Sequence, residues 1–196
     1  MDSNQMPCEN AANLQLVVEG LWHWQAYEPA VKCDLSACAV ATRDGVILVD
    51  PFDFADPLPF AKPAAVFITN GNHARSAATL RQRFSVPVFA PADAAAELEI
   101  PVDGEATLGG VQVFPVDGAG PGEVAYLFGR VLCLGDAVIN LADHGFALLP
   151  EKYRTNPGKL RDSLRKLLSL EFDILTFAHG APITEDARQR LTQLIA

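Results

Sequence analysis

The segment that most limits how this chain can fold is Thr69-Asn70-Gly71-Asn72-His73-Ala74-Arg75, together with what flanks it. It follows Ala65-Val66-Phe67-Ile68, an apolar run of strand length. It leads into a helical pattern, Arg75 to Phe84, with Ala77, Leu80 and Phe84 on one face. Strand, polar loop and amphipathic helix in succession call for a sheet that packs helices on its surface.

The rest of the chain repeats the alternation. Leu14 to Trp22 and Ser36 to Thr42 read as strands, and Arg43-Asp44-Gly45 turns the second into Val46-Ile47-Leu48-Val49, which ends at Asp50-Pro51. Val86 to Phe89 is a short strand and Asp93 to Leu98 a brief helix. Gly109-Gly110 predicts a hairpin between Thr107-Leu108 and Val111 to Val113. Gly129-Arg130 predicts another between Glu123 to Phe128 and Val131 to Leu134. A long loop, Ile139 to Thr155, precedes a helix with Asn156 as N-cap and Pro157 at its first position. Leu160, Leu164, Leu167 and Leu168 form its buried stripe. Phe172 to Phe177 returns as a strand, and Thr184 opens a last helix whose positive end is favoured by Glu185 and Asp186. The pattern predicts an α/β or α+β fold, with residues 1–13 as a polar tail and 14–196 as one domain.

Composition removes several function classes. Hydrophobic content of 49% against 20% charged residues is that of a globular chain. A net charge of -9 argues against nucleic acid as a partner, because phosphate contacts need clustered Lys and Arg. The basic residues from Lys159 to Lys166 alternate with leucines and read as the solvated face of a helix. No apolar run is long enough to span a membrane, and Met1 to Asn13 lacks the apolar core of a signal peptide. Cys8, Cys33, Cys38 and Cys133 form no CxxC pair. They are expected to be reduced, mostly buried thiols of a cytoplasmic protein.

Five short elements carry a resemblance, in order along the chain: Gly45 to Asp50, Thr69 to Arg75, Gly118-Ala119-Gly120-Pro121-Gly122, Leu134-Gly135-Asp136-Ala137 and Phe177-Ala178-His179-Gly180. Together they resemble the metallo-β-lactamase superfamily from about Leu21 onward. That resemblance implies an αββα sandwich of two mixed sheets flanked by helices. It also implies a metal site built of several imidazoles and two carboxylates. In its first loop, Thr-His-x-His-x-Asp-His, the ligand positions here hold Asn70, Asn72, Ala74 and Arg75. Ala119 stands at a further histidine position, so only Asp136 and His179 remain by motif.

This pattern predicts an eroded metal site. Amide oxygen is a weak donor for zinc, and an arginine cannot ligate a metal at all. Without a cation Asp136 would be left uncompensated, and Arg75 is expected to pair with it, directly or through water. Two function classes follow. In the first, a metal-free pocket with Arg75, Asn70 and Asn72 binds a small-molecule ligand. In the second, His73, Asp136 and His179 hold one zinc or other divalent ion and the protein is a mononuclear hydrolase. A metal-free enzyme using Arg75 with His179 or His73 is a further class. His73 either ligates or merely orients its loop; His179 is either functional or a satisfied core histidine. His144 reads as loop-exposed, and His23, between Trp22 and Trp24, as packed against a sheet edge.

Overall fold

The computed structural model describes residues 14–29 and 32–196; the polar tail and Cys8 lie outside them. Strands β1 (Gln15–Val18), β2 (Leu21–Glu28), β3 (Cys33–Thr42), β4 (Gly45–Val49), β5 (Pro63–Phe67) and β6 (Val88–Phe89) form a six-stranded sheet in that order. A second sheet has the order β12-β9-β8-β7, from β7 (Gln112–Pro115), β8 (Val124–Phe128), β9 (Val131–Cys133) and β12 (Ile174–Thr176). The hairpin of β10 (Val138–Leu141) and β11 (Gly145–Leu148) stands apart. Helices are α1 (Ala77–Phe84), α2 (Ala92–Ala95), α3 (Pro157–Leu167) and α4 (Ala187–Ile195).

Strand periodicity explains the layering. Successive side chains point to opposite faces, and here both faces of the central strands are buried. Val46 and Leu48 of β4 pack in one core with Ala77 and Leu80 of α1, whereas Ile47 and Val49 face the other sheet. Likewise Ala125 and Leu127 of β8 join Leu160, Leu164 and Leu191 of α3 and α4, while Val124, Tyr126 and Phe128 face inward. The result is helix, sheet, sheet, helix. Each core adds stabilisation at roughly 25 cal/mol per Å² of apolar surface buried.

Several expected elements differ. Leu14 to Trp22 is two strands, broken at Gly20, whose φ of 79° lies in the left-handed region. Thr107-Leu108 forms no strand, and the edge strand β7 pairs with β8 instead. The long loop after Ile139 contains a hairpin, with Val138 opposite Leu148 and Leu141 opposite Gly145. Its strands are too short to stand out by period, and they form because they pack over the second sheet's core. The last helix starts at Ala187, not Thr184. Asn156 caps α3 as expected, accepting from Lys159 N at 3.1 Å. No helix among the described residues is long and apolar enough to cross a membrane.

Candidate functional site

Strands β4 and β5 run parallel, as do β9 and β12, so each pair delivers two carboxyl ends together. Asp50 follows β4, the Thr69–Arg75 loop follows β5, Asp136 follows β9 and His179 follows β12. These four segments meet. His73 Nε2 and His179 Nε2 each lie 3.2 Å from Asp136 Oδ1. One ligand atom from each of His73, Asp136 and His179 falls within 4.8 Å of the others.

The other ring nitrogens are already committed. His73 Nδ1 lies 2.9 Å from Asp50 Oδ2, and Asp50 also accepts from Thr69 N (2.8 Å) and Thr69 Oγ1 (2.6 Å). His179 Nδ1 lies 3.0 Å from the Asp34 carbonyl, which can only accept, so Nδ1 carries the hydrogen. Cys33 Sγ sits 3.3 Å from the same nitrogen. In the neutral imidazoles, both Nε2 lone pairs therefore converge on Asp136. Its Oδ1 is buried and has no aligned donor. Two neutral imidazoles with outward hydrogens on a carboxylate and a carbonyl, plus one carboxylate oxygen, fit a single zinc, iron or manganese ion.

Electrostatics bind the cluster tightly. Burial opposes charge on His73, but the Asp136 and Asp50 carboxylates outweigh it and raise its pKa to about 9 in the cation-free protein. Burial likewise works against ionised Asp136, yet the His73 charge and the His179 contact hold it well below the usual carboxylate range. Asp50 is lowered in the same way, by His73 and then Arg75, against its own desolvation. A cation at this cluster would have to displace the extra proton from His73, so its affinity would rise with pH.

Arg75 makes no direct ion pair with Asp136, the first of the two arrangements expected. Its Nη1 donates to Ser36 O and Asp50 O, both at 2.7 Å, and its Nη2 to Ala178 O at 3.2 Å. Three chain segments end with carbonyls aimed at one point, and a planar guanidinium fork satisfies all three. The Asp50 and Asp136 charges still offset part of its burial cost, so the compensation is electrostatic rather than by contact. Asn70 is fully buried, donating to Glu123 Oε2 and Asp136 Oδ2 at 3.2 Å each. Asn72 is exposed, and its main-chain N–H donates to Asn70 Oδ1. Ala119 is packed in the core with α3. His144 is exposed in the β10–β11 turn, and His23 is buried within β2, its pKa pushed down to about 4 by desolvation. Cys38 and Cys133 are buried free thiols; Cys33 is half-buried beside His179.

Sequence reasoning missed Glu123, Ser36 and Asp34. Glu123 directly follows the glycine-rich turn and opens an apolar strand, the one local signal of a buried carboxylate. Ser36 accepts from Gly180 N at 2.8 Å through its hydroxyl and so steadies the His179 turn; nothing in its sequence neighbours marks it.

A family model described as the metallo-beta-lactamase superfamily matches residues 15–196. Among curated proteins none matches the sequence significantly. Solved structures do match in fold. The FIM-1 metallo-beta-lactamase from Pseudomonas aeruginosa, in its mono-zinc form, aligns with a TM-score of 0.72 at 12% identity, over 96% of both chains. The DIM-1 metallo-beta-lactamase gives 0.71 at 15% identity, over 94% of this chain and 97% of that one. A metallo beta lactamase from Erythrobacter litoralis, with beta mercaptoethanol in the active site, gives 0.72 at 14% identity, over 93% and 95%. With the αββα layering and the strand-end cluster, the family match over nearly the whole chain places this protein in the metallo-beta-lactamase superfamily.

Proposed function

We propose that the protein is a mononuclear, cation-dependent hydrolase acting on a small-molecule substrate, with His73, Asp136 and His179 as the three protein ligands. The observation that carries this reading is the convergence of two Nε2 atoms on the unaligned Asp136 Oδ1, with both Nδ1 atoms tied behind them. A divalent cation bound there supplies Lewis acidity toward the scissile bond and acidifies a water. The chain's own residues do the rest. Asp50 and the Asp34 carbonyl hold the imidazoles in the tautomer that offers Nε2. Arg75 locks the segments carrying Asp50 and His179 together through their carbonyls.

A second reading, a metal-free ligand-binding module, is favoured by a different observation. His73 touches a carboxylate with each ring nitrogen, at 2.9 and 3.2 Å. As an imidazolium it stands in the place of a cation between them. Elemental analysis of protein purified without chelator separates the two. About one zinc, iron or manganese per chain, lost in Asp136→Ala, supports the hydrolase. A metal-free chain with no chelator-sensitive turnover of ester, thioester, lactam or phosphodiester test substrates overturns it and selects the module.

A further inference from the structure

Glu123 belongs to no part of the three-donor set, yet it is only 4% exposed. A carboxylate buried that deeply must be held by donors. Its Oε1 accepts from Ala137 N at 2.7 Å, and its Oε2 accepts from Gly120 N at 3.0 Å and Asn70 Nδ2 at 3.2 Å. These three donors come from the loop after β5, the turn before β8 and the residue following Asp136. The second hydrogen of the Asn70 amide goes to Asp136 Oδ2 at 3.2 Å. One amide nitrogen therefore links two buried carboxylates.

The orientation of that amide is fixed by chemistry. Asn70 Oδ1 accepts from Asn72 N at 2.9 Å, and a flipped amide would set its oxygen against both carboxylates. Space is equally restrictive. A Cβ on Gly120 would lie 2.8 Å from Asn70 Nδ2 and 3.0 Å from Glu123 Oε2. One on Gly135 would lie 2.6 Å from Thr69 Oγ1 and 3.1 Å from Glu123 Cδ. Either Cβ would force Asn70, Thr69 or Glu123 out of its present place, so a side chain at Gly120 or Gly135 would disturb this group.

We infer that Glu123, acting through Asn70, is a positioning residue that pins Asp136 Oδ2 and so presents Oδ1 to the imidazoles of His73 and His179. Its value for cation binding rests on the hydrolase reading above; the placement of Asp136 does not. Glu123→Gln keeps the volume but turns an N–H₂ toward a main-chain donor. Asn70→Ala cuts the link while leaving Glu123 its main-chain donors. The first measurement is the imidazole ¹⁵N NMR spectrum of chelator-treated protein. The Nε2 signals of His73 and His179 are expected to shift in both variants, with His144 unchanged as the internal control. The second is Zn²⁺ affinity by competition with a chromophoric chelator, expected to fall about 10- to 100-fold, the range for groups that orient metal ligands. Glu123→Asp, which keeps a carboxyl group but shortens the reach, is expected to weaken binding less than Glu123→Gln. Unmoved imidazole signals in both variants overturn the inference, even if melting temperatures fall, because a packing role alone lowers stability without moving Asp136. Shifted signals in a protein that takes up no Zn²⁺ support the inference and overturn the hydrolase reading instead.

Discussion

The two sheets contribute to the site in opposite ways. The side built on the six-stranded sheet is closed: Asp50 has three donors, the Arg75 fork meets three carbonyls, and Asn70 uses both its hydrogens and its oxygen. The side built on the four-stranded sheet is open: Asp136 Oδ1 lacks an aligned donor, and the His179 side chain keeps 17% exposure. His73 crosses between them, one nitrogen on each side. The Thr69–Arg75 loop acts as a brace, and the segments carrying Asp136 and His179 present the atoms left without aligned partners. Although the first loop lacks the family's ligand types, three donor atoms still meet here, because Asp136 and His179 come from the other sheet and His73 reaches across to them.

The largest effect expected is on the open side. Asp136→Ala should lower divalent-cation affinity at least about 100-fold, read by isothermal titration calorimetry, since it removes the only carboxylate of the donor set. Retained affinity would make the open side irrelevant. On the closed side, Arg75→Ala removes a donor from three carbonyls, of which Ala178 O keeps Ser36 N at 2.8 Å. At about 1–3 kcal/mol for each of the other two, discounted for partial exposure, a loss of about 2–4 kcal/mol is expected in urea unfolding. Arg75→Lys, with no planar fork, should recover only part of it.

The pH dependence of cation-free protein tests the crossing residue. The folded pKa of His73 is raised to about 9 from 6.5, so its stabilisation is complete below about pH 6.5 and is lost as pH climbs through 9. At 1.36 kcal/mol per pH unit this amounts to about 3 kcal/mol. A flat stability profile over that window would remove the ion pair from the account. Away from both sides, Asn156→Ala should cost about 1 kcal/mol through the lost N-cap. His144→Ala, on an exposed turn, should change cation affinity and melting temperature negligibly.

Much of this was legible beforehand, and the misses have local reasons. The strand–loop–helix unit, the Asn156 cap and the α3 stripe follow from apolar period and capping chemistry, which act over a few residues. The β10–β11 hairpin carries little period in its four-residue strands and so looks like loop in sequence; it forms where Phe146 and Leu148 meet the core. Asp136 and His179 stand in short motifs legible in the sequence. Glu123 is not marked in this way, because its importance lies in three donors distant from it in sequence.

The sequence by itself determined that strands alternate with amphipathic helices, since apolar period and capping act locally, and its short motifs carried the resemblance that implies a two-sheet sandwich. It also shows that the ligand positions of the resembled loop hold two amides, a methyl and a permanent cation in Thr69–Arg75. Only the tertiary structure decided what these residues do. Whether Arg75 meets a carboxylate or three carbonyls, and whether His73 faces solvent or bridges Asp50 and Asp136, depends on where four strand ends converge. Those distances arise from packing two sheets together, and no local pattern in the chain encodes them.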